Sequence, residues 1–160
     1  EYTIREMTVT EYPLLNEFIE AIFIPDGIKP PPKNNYASPE LQIYVDRFGA
    51  SKADFALVAE VEQKNVGAVW VRIIHDYGHI DDETPSLAIS LYKEYRGQGI
   101  GTDMMKEMLS LLKHMVIKVF HFPFKRLIMR LKCIKNRFDI IRENKEEWIM
   151  LWQETDIDIL

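Results

Sequence analysis

The chain has 160 residues, 47% of them hydrophobic and 28% charged, the composition of one globular domain large enough to bury a core. Its formal charge of −5, from 20 basic and 25 acidic residues, argues against a nucleic-acid binder. One cysteine excludes an internal disulfide framework and a cysteine-rich zinc site and fits a reducing, cytoplasmic setting, while no apolar run reaches the roughly 18 residues of a membrane span. Tyr2 to Glu6 predicts a short strand, and the residues EYTIREMTVTEY hold no signal-peptide apolar block. Thr8 and Glu11 have capping-box spacing, and Leu14, Leu15, Phe18, Ile19 and Ile22 recur at helical intervals, so a helix is expected from about Val9 to Phe23. Pro25, Asp26, Gly27 and Pro30 to Pro32 end it. Ser38 and Pro39 open a second helical stretch, and Gly49 closes it.

Phe55 to Val61 and Val66 to Ile74 are rich in β-branched and apolar residues and read as a hairpin across Glu62, Gln63, Lys64 and Asn65. The polar stretch HDYGHIDDETP follows, then an apolar strand from Leu87 to Leu91. After YKEYRGQGIGT, the residues Met104, Met105, Met108, Leu109 and Leu112 mark an amphipathic helix. Phe138 to Arg142 and Trp148 to Trp152 read as two closing strands. The expected class is α/β (α+β), a single domain over residues 1–160.

The segment Arg96-Gly97-Gln98-Gly99-Ile100-Gly101-Thr102 lies between a strand and a helix. Glycines there let the backbone turn sharply and approach a ligand. The helix start adds unpaired N–H groups and the positive end of a dipole, a combination suited to phosphate. Two familiar phosphate loops do not fit. Thr102 stands where a Walker loop needs lysine, and again where GxGxxG needs its third glycine. A plain glycine-rich turn capping a helix is the competing reading.

The apolar strand Leu87-Ala88-Ile89-Ser90-Leu91, then Arg96-x-x-Gly99-x-Gly101, then an amphipathic helix resembles the central motif of the GNAT (GCN5-related) N-acetyltransferases, [Q/R]-x-x-G-x-[G/A]. The resemblance covers about Tyr2 to Lys113 and resumes at Phe138. It implies a mostly antiparallel central sheet flanked by helices and splayed between the strand at 87–91 and the next one. It also implies acetyl transfer from acetyl-CoA to a small-molecule or peptide amine by direct attack on the thioester. The pyrophosphate would sit on the N–H groups of Gln98 to Thr102, with Arg96 and Gly97 completing the loop. The pantetheine arm would lie along Ile89, Ser90 and Leu91. The family's strand carries a bulge that frees a backbone N–H for the thioester oxygen. No metal is implied, and the chain would act as a monomer or homodimer. A CoA-binding or protein-interaction module without useful turnover is the alternative.

The segment from Lys113 to Arg137 departs from the family. It carries eight of the twenty basic residues and no acidic one, leaving twelve against twenty-five, a balance of −13, in the rest of the chain. The family has a strand here, then N-x-x-A-x-x-x-Y-x-x-x-G-F, whose tyrosine protonates the leaving thiolate. This chain has no tyrosine there, so no catalytic residue is assigned. Shifted by one base, Met115 and Val116 must give glycine. With allowed codon choices the text then runs GYKSISFSVQKANYA-x-KMYKK, placing a tyrosine at Cys133. Residues 115 to 137 therefore read as the product of two compensating frameshifts, in the gene or its sequencing. The alternative is a genuine basic, apolar segment broken by Pro123, facing a partner helix or membrane or packing as strand and helix.

His75 and His79 with Asp76, Asp81 and Asp82 resemble metal ligands only superficially, since Gly78 argues against a helix that would align them. The same loop would border the substrate cleft, with Glu83 a base acting through water or simply a solvated acid. Cys133 has no partner that would make it a nucleophile. The methionine cluster is expected in the core. Trp70 is expected to pack there too, or else to line the cleft.

Overall fold

The computed structural model describes residues 1–23, 42–74, 84–112, 117–120, 137–143 and 148–153. Strand β1, Tyr2–Glu6, pairs antiparallel with β2, Phe55–Val61, in the register Ile4↔Ala59. Beyond β1 the predicted single helix is two pieces. Val9–Leu14 is a 3-10 helix and α1 is Leu15–Phe23. Pro13 supplies the reason: it has no N–H for an i→i−4 bond, so the first turns tighten to 3-10 before regular helix begins. The capping residues act as expected, the Glu11 carboxylate accepting from the Thr8 N–H at 2.9 Å.

The predicted second helix, 38–49, lies outside the described residues up to 41. Its described end is a run of turns, closed by Val45 N–H to Gln42 O and Phe48 N–H to Val45 O. This stretch is tied to the sheet by Arg72, whose guanidinium pairs with Asp54 at 3.1 Å and donates to the carbonyls of Ile43 and Asp46.

Strand β2 returns as β3, Lys64–Arg72, through a tighter turn than the composition suggested. Only Glu62 and Gln63 connect the strands, both at positive φ (49° and 65°), a two-residue turn whose twist matches that of the strands. The register then shifts between Ala59 and Glu60, leaving Val66 as the extra residue on β3. Strand β4, Ser86–Leu91, follows β3 antiparallel from Arg72↔Ser86 to Gly67↔Leu91 with no interruption. Helix α2, Ile100–Leu111, comes next, and then β5, Ile117–Phe120. The chain closes with the hairpin β6, Arg137–Glu143, and β7, Trp148–Gln153.

The sheet order is β1-β2-β3-β4-β5-β7-β6, with β4 and β5 the one parallel pair among the described strands. The expected mixed, mostly antiparallel sheet is therefore present. Strand β5 forms from the anomalous segment as it stands in the sequence. Alternation along the strands sorts side chains onto two faces. Leu57, Val69, Leu87, Ile89 and Leu91 pack with Met104, Met105 and Met108 of α2, so the methionines are core. Ala56, Val58, Ala68, Trp70 and Ala88 pack with Leu15, Phe18 and Ile19 of α1. Each fully buried large side chain contributes about 1.5–3 kcal/mol. Trp70 is 1% exposed and donates Nε1–H to Tyr44 O at 3.1 Å, so it packs and does not line a cleft.

Candidate functional site

The C-terminal half of β4 has one paired edge and one open edge among the described residues. On the β3 side the ladder continues past the strand, with Tyr92 N–H donating to Val66 O at 2.9 Å. Alternation then turns the N–H groups of Ser90 and Ala88 toward β3 as well, and those of Ile89 and Leu91 toward the opposite edge. On that edge the ladder with β5 consists of Ser86↔Lys118 and Leu87↔Val119. Among the described residues the two strands thus pair at the start of β4, and the N–H groups of Ile89 and Leu91 lie beyond the last of these pairs. The β3–β4 register is continuous from Arg72↔Ser86 to Gly67↔Leu91, so the implied bulge is absent from this ladder.

The glycine loop begins where this open edge ends. After a short 3-10 turn, Lys93–Tyr95, the Arg96 Nε donates to Leu91 O at 2.9 Å, pinning the loop to the end of β4. Gly97 and Gly99 have φ of 79° and 88°, values that side-chain-bearing residues adopt only at a cost. Gly99 is the N-cap of α2 and offers no side chain to its first turn. The first backbone bond of the helix is Asp103 N–H to Gly99 O at 3.0 Å, so the amides of Ile100, Gly101 and Thr102 precede the intrahelical ladder. A Cβ built at Gly97 or Gly99 meets no heavy atom within 4 Å, so the space above both is open. Residues 97–99 are exposed, Gly101 and Thr102 half-buried, and Ile100 is anchored in the core at 1% exposure. Asp103 in the same turn is held by the Tyr2 hydroxyl from β1.

The other face of the same strand end carries different chemistry. Ser90 and Tyr92 project toward α1, where Tyr92 lies against Phe18 with ring centroids 5.2 Å apart. Its hydroxyl donates to Glu17 Oε2 at 3.3 Å. Burial, reinforced by the charges of Glu17 and Glu94, pushes the Tyr92 hydroxyl up to about 12, so it stays protonated. The sequence reading missed this pair, which joins residues 75 apart. Its one local signal is a tyrosine immediately after an apolar strand.

The structure brings together every residue of the predicted cofactor loop, from Ile89 to Leu91 and from Arg96 to Thr102, around one end of β4. The polar loop holding His75, Asp76, His79, Asp81, Asp82 and Glu83 lies outside the described residues, as does Cys133. Among the described residues no group of three or more metal-ligating side chains occurs, and no helix is long and apolar enough to cross a membrane. An open cleft of about 510 Å³ lies between Ile43, Asp46 and Arg72. Arg72 pairs with Ser86, so this cleft sits at the opposite end of β4 from the glycine loop.

A family model described as the acetyltransferase (GNAT) family matches residues 17–122. The chain belongs to the GNAT acetyltransferase family. Solved GNAT structures share its fold. An acetyltransferase of the GNAT family from Streptococcus pneumoniae superposes with a TM-score of 0.61 at 16% identity, over 96% of this chain and 98% of that one. The acetyltransferase yncA from Salmonella typhimurium, solved with acetyl-CoA, gives 0.64 at 14% identity over 97% and 94%. AAC(6')-Ib in complex with ribostamycin and coenzyme A gives 0.62 at 15% identity over 99% and 96%. A search of curated protein sequences returns no match. The GNAT match begins at Glu17 on α1 and takes in β2 to β4, the glycine loop and α2.

Proposed function

We propose that this GNAT protein transfers the acetyl group of acetyl-CoA to a small-molecule or peptide amine in the cytoplasm. The observation that carries the reading is a convergence at one end of β4. The strand edge of Ile89 and Leu91, open among the described residues, meets a helix N-terminus preceded by two left-handed glycines. In this reading the amides of Gln98 to Thr102 take the pyrophosphate, and the open space above Gly97 and Gly99 admits it. The pantetheine arm extends along Ile89–Leu91, continuing the sheet past the last described β4–β5 pair. The amine lone pair attacks the thioester carbonyl carbon. An N–H of Leu91 or Ile89 faces the developing oxyanion, a contact typically worth about 3–4 kcal/mol in the transition state. The C–S bond then breaks, the amine nitrogen loses a proton, and the thiolate gains one.

The proton donor to the thiolate has no counterpart in residues 113–137 as written, because they contain no tyrosine. We read residues 115–137 as frameshifted text, with a tyrosine belonging at Cys133. Resequencing the gene tests this: an unbroken frame contradicts it. The missing tyrosine is also what favours the second reading, a CoA-binding module without useful turnover. Losing a general acid costs about 10²–10⁴-fold in rate. Acetyl-CoA should raise the melting temperature, and thiol release should then depend on added amine. Stabilisation without release for any amine favours the module, and no stabilisation overturns both readings.

A further inference from the structure

We infer that the α1-facing side of the β4 end is a seat for a primary ammonium group, formed by Glu17, Tyr92 and Ser90, and that the acceptor is accordingly a cationic amine. The inference rests on the acetyltransferase reading and deepens it. The two faces of the strand end differ in charge preference. The α2 side offers backbone N–H groups and suits an anion. The α1 side offers a carboxylate, a protonated tyrosine hydroxyl that can accept one more bond through its lone pair, and a serine hydroxyl. Glu17 is exposed and within reach of solvent.

One observation besides the acidic side chains points to a ligand. Ser90 is 1% exposed, yet its Oγ has no hydrogen-bond partner among the described residues. A buried hydroxyl left unpaired is costly, and its position two residues before Tyr92 puts it on the same face. Glu20 Oε1 is likewise buried without a partner, and burial together with the charge of Glu17, one helical turn away, raises the Glu20 carboxyl above its usual range. A cation beside Glu17 removes that repulsion, and an ammonium brings three donors to acceptors that lack them. A carboxylate-bearing acceptor would instead meet Glu17, Glu20 and Glu94 with like charge.

Thiol release with saturating acetyl-CoA, using spermidine and Nα-acetyl-lysine amide as acceptors, tests the seat. Glu17→Gln and Tyr92→Phe should raise KM for the amine about tenfold, with a smaller change in kcat and unchanged acetyl-CoA affinity. Glu107→Gln on α2, which removes the same charge elsewhere, should leave KM unchanged. Calorimetric titration of spermidine and of the lysine amide into wild type and Glu17→Gln supplies a readout that needs no turnover. Spermidine alone engaging Glu17 would indicate a small polyamine acceptor, and the lysine amide alone a peptide one; both support the seat. Equal KM and equal binding in Glu17→Gln overturn it, as does preference for an amine carrying a carboxylate. Acetyl-CoA binding with neither cationic amine bound overturns the seat and leaves the acetyl-CoA reading standing. Failure of acetyl-CoA binding overturns that reading, while the spermidine titration still decides the seat.

Discussion

Two glycines constrain the site in different ways. Gly99 needs its φ of +88° but has open space around a Cβ. Gly99→Val should therefore cost about 1–2 kcal/mol of stability through the left-handed backbone. It should also weaken acetyl-CoA binding more than tenfold, because the side chain occupies the space assigned to the pyrophosphate; calorimetry and denaturant unfolding separate the two effects. Gly67 has ordinary φ but no room. A Cβ there meets Ser90 O at 2.7 Å, Leu91 Cδ1 at 2.8 Å and Met104 Cε at 3.2 Å. The methionine can move, but the Ser90 carbonyl is backbone at the site itself. Gly67→Ala should cost about 1–3 kcal/mol by overpacking and displace the end of β4, lowering both melting temperature and acetyl-CoA affinity. The loop glycines were legible in the sequence by spacing. Gly67 was not, because its reason is a contact with α2 and β4 across the sheet.

At the scale of elements, the strands and α2 were legible because each buries a regular face. The boundaries that shifted have identifiable causes. Glu62 and Gln63 are not residues that favour φ > 0, so nothing in their chemistry marked a two-residue turn. Replacing them with Asn-Gly should raise stability by about 1 kcal/mol in thermal or urea unfolding, since the turn geometry is already present. The start of the chain depends on charge as well. Arg5 on β1 pairs with Glu11 and Glu60, both at 2.8 Å, and holds the Glu11 carboxyl far below its ordinary value of 4.5. A carboxyl lowered in the folded state contributes stability above its unfolded value and loses it as pH falls through the folded value. Glu11→Gln should thus destabilise at pH 7 by roughly 1 kcal/mol, a modest figure because Arg5 is partly exposed. The gap between variant and wild type should narrow steadily below pH 4.5; a gap independent of pH would contradict this assignment.

For the whole molecule, the uneven charge takes on a structural meaning. The GNAT match runs to residue 122, into the basic segment, and β5 forms there at Ile117–Phe120. The fold therefore accommodates residues 117–120 of the segment as the strand paired with the start of β4. The fold and the glycine loop before α2 were readable from the chain alone, because glycine spacing and apolar periodicity are local. The Glu17–Tyr92 pair was not, because it depends on α1 crossing the end of β4. The most direct test of the central claim is an NMR titration of the protein with acetyl-CoA, followed by amide chemical shifts. The account predicts that the largest changes fall on Ile89, Leu91 and Gly97 to Thr102. Changes centred on Ile43, Asp46 and Ile74, around the cleft at the other end of β4, would contradict it.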